Sequence, residues 1–239
     1  MITVAFTYAE ARAAEVSVVI DVLRATSTIV QALAAGYERV LCADGLDRAR
    51  ALGKPGRVLA GELRCRKPPG FQLGNSPSGT LSPLGDELVL ATTNGAPAIV
   101  RAATLSQRVL VGCLLNLDAV VAALPTGDVQ LVCSGTDGSP ALDDAYVAGR
   151  IVARLEGPRS DSAVIAERVA AAYPCGRDAL AASAGARALA LAGLEEDVDD
   201  CARESALDVV PCVVAVGTGF VTLAPIRVIE LPLRKNLNL

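Results

Sequence analysis

Residues 1–150 alternate short apolar runs rich in β-branched side chains with Ala/Leu-rich stretches of helical character. This alternation is typical of a mostly parallel sheet covered by helices, and near-continuous apolar runs indicate strands buried on both faces. The predicted strands are residues 16–20, 39–43, 58–60, 87–91, 108–112 and 129–133, and the predicted helices lie near 26–35, 45–53, 96–103, 116–124 and 140–155. The pattern predicts an α/β fold with a mostly parallel or mixed sheet and helices on both faces, in three α/β/α layers.

A long loop interrupts this alternation at residues 64–86. Its segments Arg66-Lys67-Pro68-Pro69-Gly70 and Gly74-Asn75-Ser76-Pro77 sustain neither the strand period nor the helix period. Loops of this length within compact domains are often functional.

The composition shifts after Gly157-Pro158, where the chain becomes Ala-rich. The pattern predicts helices over 160–172 and 177–192, then an acidic turn at Glu195-Glu196-Asp197 and closing strands. Because this part has few strands of its own, we expect residues 1–239 to form one catalytic domain, with a candidate lobe boundary near 157.

Residues 209–226 carry no charge and reach the lower length limit of a membrane span. Pro211, Gly217, Gly219 and Pro225 interrupt the run, which is also rich in Val and Thr. We therefore predict two core strands joined at 217–219.

The bulk composition excludes several classes of partner. Hydrophobic residues make up 52% of the 239 residues, which is enough to bury a full core. The net charge of −4 and the lack of a Lys/Arg-rich run argue against nucleic-acid and anionic-membrane surfaces, since both need clustered positive charge. Seven cysteines without a C-x-x-C pair indicate free thiols, and no signal peptide precedes them, so a cytoplasmic protein is expected. The Ala/Val-rich composition makes a homodimer plausible.

Carboxylates follow several of the predicted strands, where ligands of open α/β sheets bind. Asp21, Glu62 and Asp137 stand at or just beyond strand ends, and Asp143-Asp144 begin the next helix. Mg²⁺ binds through a small number of carboxylates together with water and phosphate oxygens, so these acids predict a metal site. Each acid also has a simpler explanation, because Asp21 is suited to cap a helix and Asp143-Asp144 are first-turn acids that the helix dipole favours.

Small polar turns at the same strand ends are suited to bind phosphate. Asn94-Gly95 and Gly135-Thr136 open onto helices, where unpaired N–H groups and the helix dipole attract an anion. Arg24 offers the bidentate clamp that a phosphate prefers. Thr-Asn-Gly is also an ordinary turn sequence, so convergence of these elements carries the hypothesis.

The sequence does not meet the requirements of several other classes of phosphatase and phosphate-binding protein. The absence of histidine excludes histidine phosphatases and His-based triads. Cys42 and Arg48 have the spacing of thiol phosphatases, but two acids stand between them and would raise the thiol pKa. Leu23 stands where the haloacid-dehalogenase pattern requires an aspartate, and no nucleotide-binding G-x-x-x-x-G-K-[ST] occurs.

Six sequence blocks spanning almost the whole chain resemble, in order, the motifs of the 2-phosphosulfolactate phosphatase family. They are Val18-Val19-Ile20-Asp21-Val22-Leu23-Arg24-Ala25-Thr26-Ser27-Thr28, Gly61-Glu62, Gly70-Phe71-Gln72-Leu73-Gly74-Asn75-Ser76-Pro77, Ala91-Thr92-Thr93-Asn94-Gly95, Gly135-Thr136-Asp137-Gly138 with Leu142-Asp143-Asp144, and Asp208-Val209-Val210-Pro211. The resemblance implies a Mg²⁺-dependent hydrolase that removes phosphate from (R)-2-phospho-3-sulfolactate, a step of coenzyme M biosynthesis in methanogens.

Two departures from the family pattern bear on the substrate. Gln72 replaces the usual aspartate of the Gly-Phe-Asp step, and the family's Gly-Glu-Arg is here Gly61-Glu62-Leu63-Arg64. The first change removes a carboxylate that would contact metal or water. The second displaces an arginine suited to a sulfonate or carboxylate.

We therefore expect a phosphatase acting on a small anionic phosphate monoester. The expected catalytic residues are Asp21, Arg24, Glu62 and Asp137. The expected Mg²⁺ ligands come from Asp21, Glu62, Asp137, Asp143 and Asp144. The expected substrate-binding residues are Ser27, Asn75, Ser76, Thr93, Asn94, Gly95, Gly135 and Thr136.

Three alternatives stay open at this point. Attack on phosphorus by water, with one acid as base, competes with attack by Asp21 itself to form an acyl phosphate. The substrate is also open to another small phospho-acid or a sugar phosphate. A binding protein that has lost turnover is the rival class, for which Gln72 is the motivating residue.

Overall fold

Strands and helices alternate along residues 1–226, the part of the chain that the computed structural model describes. The strands are β1 (Ile2–Ala5), β2 (Ala14–Ile20), β3 (Arg39–Ala43), β4 (Arg57–Gly61), β5 (Glu87–Ala91), β6 (Ser106–Gly112), β7 (Val129–Cys133), β8 (Val210–Gly217) and β9 (Phe220–Ile226). The helices are α1 (Ala25–Ala35), α2 (Leu46–Ala51), α3 (Gly95–Leu105), α4 (Leu117–Ala123), α5 (Leu142–Val152), α6 (Asp161–Ala171), α7 (Gly176–Ala181), α8 (Ala184–Leu191) and α9 (Glu196–Cys201). Tyr8–Glu10 and Pro77–Thr80 form short 3₁₀ helices.

The described strands pair into one mixed sheet in the order β1-β7-β2-β6-β8-β9-β3-β5-β4. One parallel group contains β1, β7, β2 and β6, and a second contains β3, β5 and β4. The antiparallel hairpin of β8 and β9 joins the two groups. The predicted mostly parallel, mixed α/β fold is confirmed.

The two parallel groups run in opposite directions along the sheet, because three antiparallel pairings separate β6 from β3. In a flat sheet their carboxyl ends would lie at opposite edges. The carboxyl ends of the strands, where the candidate acids are predicted from the sequence, therefore share one edge within each group and not across the whole sheet. The site described below nevertheless joins the two groups, because Gly95, which follows β5, lies against Asp21, which follows β2.

Helices α1 and α3 lie between the groups and pack against strands of both. Helix α1 contacts β3, β6 and β8, and α3 contacts β2, β3 and β6. Helix α5 covers β2 and β7, while α6 packs on β1 and α5. A second apolar cluster lies under α2, with Leu41, Ala49, Phe71 and Val89 among its members. Helices thus cover both faces of the sheet, as predicted.

All six strands predicted before residue 150 are present, and so is the hairpin predicted for residues 209–226, with its turn at Thr218-Gly219. The long loop is also confirmed, and its residue Leu73 pairs with the edge strand β4 at Ala60. Strand β1 was not predicted, because its four residues are too few for a clear period.

The helix predicted over 177–192 is wrong as a single element. It consists of α7 and α8, because Ser183 accepts a hydrogen bond from the N–H of Ala186 and begins a new helix. The acidic turn predicted at 195–197 is also wrong, since α9 begins there.

Main-chain hydrogen bonds join strand β1 to the segment at the candidate lobe boundary near residue 157. The N–H of Ile2 donates to the carbonyl of Pro158, and the N–H of Ser160 donates to the carbonyl of Ile2. The single-domain expectation concerns all 239 residues and stays a prediction. None of the helices within residues 1–226 is long and apolar enough to cross a membrane.

Candidate active site

The N-termini of α1 and α3 meet at Asp21. Gly95, the first residue of α3, lies so close that a Cβ there would overlap Oδ2 of Asp21 and lie 2.5 Å from the Cβ of Ala25, the first residue of α1. A glycine is required here by close approach, because no larger residue leaves room for the carboxylate. Asp21 follows β2 of one parallel group, and Gly95 follows β5 of the other.

Asp21 is a buried carboxylate, 7% exposed. Its Oδ1 accepts a hydrogen bond of 3.2 Å from the N–H of Ala25. Burial raises the pKa of Asp21 from 3.8 to about 6, and the negative charge of Glu62 adds to the rise, while hydrogen bonds from Ala25 and Ser134 and the charge of Arg24 oppose it. Asp21 and Glu62 are therefore close enough for their charges to interact, and their sharing of one metal ion stays a prediction.

Asp143 and Asp144 bring two more buried carboxylates to Asp21 from the first turn of α5. Burial raises the pKa of Asp143 to about 7, and the charge of Asp21 adds to the rise. Burial also raises the pKa of Asp144, as do the charges of Asp143 and Asp21. The structure thus brings together Asp21, Glu62, Asp143 and Asp144.

Asp144 ties the segments around the site to each other. Its Oδ1 accepts a hydrogen bond of 2.9 Å from the N–H of Val22. Its Oδ2 accepts bonds from Ser134 Oγ at 3.0 Å and from the N–H of Gly135 at 3.1 Å. Both carboxylate oxygens are engaged, so Asp144 joins the loop after β2 to the loop after β7.

Glu62 plays a similar part on the opposite side of the site. Its Oε1 accepts hydrogen bonds of 2.7 Å from both the N–H and Oγ1 of Thr93. Its Oε2 accepts a bond of 2.9 Å from the N–H of Cys65. Glu62 therefore holds the loop after β4 against the loop after β5.

Arg24 is held in place by Asp197 and Ser76. Its Nη1 donates to Asp197 Oδ2 at 2.6 Å and to Ser76 Oγ at 3.1 Å. Ser76 Oγ in turn donates to Asp197 Oδ2 at 2.8 Å. The Arg24 and Asp197 side chains are 3% and 5% exposed. A buried charged triangle thus fixes the arginine that the sequence predicted as a phosphate contact.

Asn75 is buried beside Ser76 in the chain, and its Oδ1 has no hydrogen-bond partner in the described part of the molecule. Buried polar atoms are nearly always paired, so an unpaired one in a predicted binding loop is consistent with a ligand contact. Ser27 differs, because it has no exposed surface and its hydroxyl donates to the Val22 carbonyl at 2.8 Å. The structure gives Ser27 a contact inside the protein and no access to a substrate.

The predicted residues of the turn after β7 divide into two groups. Gly135 lies at the site through its bond to Asp144 and adopts a left-handed conformation, with φ +67°. Thr136 and Asp137 are exposed in a turn that Thr136 closes with Ser139. Asp137 makes no hydrogen bond or ion pair with another described residue, so the structure does not join it to the buried acids.

The two departures from the family pattern lie outside the acid cluster. Gln72 is exposed at the edge of the sheet, where its Oε1 accepts a hydrogen bond of 2.9 Å from the N–H of Leu59. Arg64 is exposed and left-handed, with φ +50°, in the tight turn that follows Glu62. Gln72 therefore supports the edge of β4 in this structure.

Sequence reasoning missed two residues of the site. Ser134 hydrogen-bonds Asp144 and lowers the pKa of Asp21. Asp197 was predicted to lie in an acidic turn, with no role in the site. Its spacing from Val198 and Cys201, which share the buried face of α9, was the signal that marked it as inward-facing.

The thiol-phosphatase alternative is excluded by burial. Cys42 is fully buried, and burial raises its thiol pKa far above the ordinary value, so no thiolate forms there near neutral pH. No two cysteines within residues 1–226 are joined by a disulfide.

The site combines two electrostatic features in one place. Converging helix N-termini and an arginine favour an anion, while buried carboxylates favour a cation or a proton in transfer. This combination is the one expected of an α/β enzyme that acts on a phosphate ester. No group of three or more acidic or cysteine side chains in the described chain is arranged as a ready metal cage.

Comparison with known proteins identifies the family. The family model for 2-phosphosulpholactate phosphatase matches residues 3–215. The chain belongs to this family and is therefore a phosphoric monoester hydrolase.

Relatives of similar length support this assignment. A probable 2-phosphosulfolactate phosphatase of Thermus thermophilus is 40% identical over 206 residues, covering 82% of this chain and 87% of the relative. One from Thermotoga petrophila is 40% identical over 205 residues, covering 83% and 88%. The 2-phosphosulfolactate phosphatase of Methanothermobacter thermautotrophicus is 33% identical over 196 residues, covering 81% and 84%.

Proposed function

We propose that this chain is a Mg²⁺-dependent phosphatase that converts 2-phosphosulfolactate to sulfolactate and phosphate. Family membership and the names of the relatives support the substrate. The reaction is supported above all by one observation, the contact between the N-termini of α1 and α3 at Asp21, beside the anchored Arg24.

The phosphate group is bound by Arg24 and by main-chain N–H groups. The hydrogen bonds of Arg24 to described residues use only Nη1, so Nε and Nη2 stay available to phosphate oxygens. The N–H groups of Asn94 and Gly95 donate to no other residue of the described chain, and they lie at the positive end of α3. Phosphoryl transfer requires mainly positioning and charge neutralisation, which these groups supply.

Asp21 and Asp143 are the residues we propose to hold Mg²⁺. Both carboxylates are buried, and Arg24 is paired with Asp197. Burial raises the pKa of each, the charge of Glu62 adds to the rise at Asp21, and the charge of Asp21 adds to the rise at Asp143. Mg²⁺ needs only one or two carboxylates besides water and phosphate oxygens, so the donor set fits the ion without a three-carboxylate cage. When bound, the ion would supply positive charge to the carboxylates and to the phosphate.

The same acids are also suited to transfer protons. With pKa values of about 6 and about 7, Asp21 and Asp143 each exchange a proton near neutral pH when no cation is present. Attack by water with one of these acids as base and attack by Asp21 itself both fit this arrangement. Trapping with hydroxylamine separates the two routes, because only an acyl phosphate on Asp21 would yield a hydroxamate.

The test is phosphate release by the purified protein from 2-phosphosulfolactate and from a panel of phospho-hydroxy acids and sugar phosphates. We expect release that requires Mg²⁺, stops with chelator, and falls by about 100-fold or more in Asp21→Asn. Release that is unaffected by chelator or by Asp21→Asn contradicts the proposal. The panel also shows whether another small phosphate ester is the better substrate.

The rival hypothesis, a binding protein without turnover, rested on Gln72. Because Gln72 bonds Leu59 at the sheet edge, its amide replaces no carboxylate of the acid cluster in this structure. The phosphatase is thus the better-supported function. A cytoplasmic location and a homodimer stay predictions, the first supported by the absence of disulfides in the described chain.

A further inference from the structure

We propose that Asp197 is a positioning residue, which orients Arg24 for the phosphate group of the substrate. The inference rests on the proposed function, since it takes Arg24 as a phosphate contact. Asp197 lies in α9, more than a hundred residues along the chain from Arg24, and no sequence motif of the site includes it.

The geometry leaves little freedom to the guanidinium. Asp197 Oδ2 accepts hydrogen bonds from both Arg24 Nη1, at 2.6 Å, and Ser76 Oγ, at 2.8 Å. Arg24 Nη1 also donates to Ser76 Oγ at 3.1 Å. Three side chains from three distant segments therefore form a closed triangle, which holds one corner of the planar guanidinium and leaves its other nitrogen atoms for the ligand.

Burial makes this pair different from an ordinary surface ion pair. Arg24 and Asp197 are 3% and 5% exposed, and removing one partner leaves the other charge buried and unpaired. By contrast, Asp199 of the same helix pairs with Arg177 at side-chain exposures of 60% and 62%. Exposed pairs of this kind contribute little, so Asp199 provides a matched control.

The packing of α9 explains why Asp197 alone reaches the site. Asp197, Val198 and Cys201 are buried on one side of the helix, whereas Glu196 and Asp199 are exposed. Helix α9 packs against the 3₁₀ helix that begins directly after Ser76. Helix α9, near the C-terminal end of the described chain, thus helps to position Arg24 in the loop between β2 and α1.

The first experiment compares Asp197→Asn with Asp199→Asn in the full-length protein. We expect kcat/KM for phosphate release to fall about 10- to 100-fold in Asp197→Asn, because a small misplacement of a binding group costs this much. The inhibition constant of inorganic phosphate should rise in the same variant, and Asp199→Asn should stay within about twofold of wild type. Thermal unfolding verifies that both variants are folded.

A double-mutant cycle separates positioning from a structural role. If Asp197 acts through Arg24, then Asp197→Asn has no further effect on kcat/KM in an Arg24→Ala background. A full additional loss in that background overturns the inference, and so does wild-type activity in Asp197→Asn. If Asp197→Asn does not fold, Ser76→Ala decides, with a loss of roughly threefold to tenfold expected and unchanged activity overturning the inference.

The outcomes also distinguish this inference from the proposed function. If the wild type releases phosphate while Asp197→Asn matches it, only the role of Asp197 is wrong. If the wild type binds inorganic phosphate without turnover, the dissociation constant measured by calorimetry replaces kcat/KM in the same cycle. If it neither turns over nor binds phosphate, both proposals fail together.

Discussion

Replacing Asp21 with asparagine is expected to stabilise the cation-free protein while removing its activity. Asp21 is buried next to Asp143, Asp144 and Glu62, and it is the carboxylate around which their charges accumulate. An asparagine keeps the oxygen that accepts the Ala25 N–H bond and removes the negative charge. The stabilisation therefore comes from relieving the cost of a buried carboxylate.

The structure fixes both the size and the sign of the effect. Burial raises the pKa of Asp21 from 3.8 to about 6. A tenfold change in proton affinity corresponds to about 1.4 kcal/mol, so ionising Asp21 costs about 3 kcal/mol more in the folded than in the unfolded chain. Below about pH 4, Asp21 is protonated in both the folded and the unfolded chain, and the cost vanishes. Between pH 4 and 6 the unfolded chain releases its proton first, so wild-type stability falls as the pH rises and levels off above pH 6. The advantage of asparagine grows over this same interval.

Thermal unfolding in chelator-containing buffer at pH 4 and pH 8 measures this difference. At pH 8 we expect Asp21→Asn to unfold roughly 6–12 °C above wild type, the range that about 3 kcal/mol gives for a chain of this size. At pH 4 the two proteins should unfold within a few degrees of each other. Asp199→Asn, at an exposed position, should show no such pH dependence. A lower melting temperature for Asp21→Asn at pH 8, or an equal difference at both pH values, refutes the reasoning.

The remaining predictions concern the cation and the walls of the site. In scanning fluorimetry, millimolar Mg²⁺ should raise the wild-type melting temperature by several degrees at pH 8 and much less at pH 5, because protonated carboxylates bind no cation. The same shift should be absent in Asp21→Asn. Gly95→Ala should destabilise the protein by about 1–3 kcal/mol in denaturant titrations and reduce kcat/KM, since its Cβ overlaps Asp21. Gly45→Ala should cause neither change, because a Cβ at Gly45 has no other atom within 4 Å. Gln72→Asp should leave kcat/KM within about twofold, and a tenfold gain would place Gln72 in the site after all.

The fold was predictable wherever an element is long and its period clear. The buried strands of both parallel groups carry near-continuous apolar runs, and their positions follow from the sequence. The reversal between the groups did not follow, because strand direction depends on pairing through β8 and β9, which no local pattern records. The break between α7 and α8 was missed because Ser183 lies in an otherwise unbroken Ala-rich run, where one cap overrides the helix period.

The site was predictable to the extent that strand ends decide it. Asp21 and Glu62 follow strands and lie close enough for their charges to interact, whereas Asp137 also follows a strand and is exposed in a turn. Ser27 is close to Asp21 in the chain, but proximity in the chain does not bring its hydroxyl to the site surface. Helix α1 is buried on every side over its first turns, and the Ser27 hydroxyl donates to the main-chain carbonyl of Val22. Asp197 shows the reverse, because its partner Arg24 lies far away in the sequence.

The acids of the site divide into two kinds by the occupancy of their oxygen atoms. Both oxygens of Glu62 and of Asp144 accept hydrogen bonds from the protein, and each of these acids joins two loops. Oδ2 of Asp21 instead faces the N-terminus of α3, and the hydrogen bonds that oppose the rise in the pKa of Asp143 come from main-chain N–H groups of its own helix turn, at Asp143 and Asp144. Glu62 and Asp144 are fixed in place by donors from two different loops, whereas the main-chain donors to Asp21 and Asp143 come from the same stretch of chain as each acid. Glu62 and Asp144 thus build the framework, and under the proposed function the chemistry falls to Asp21 and Asp143.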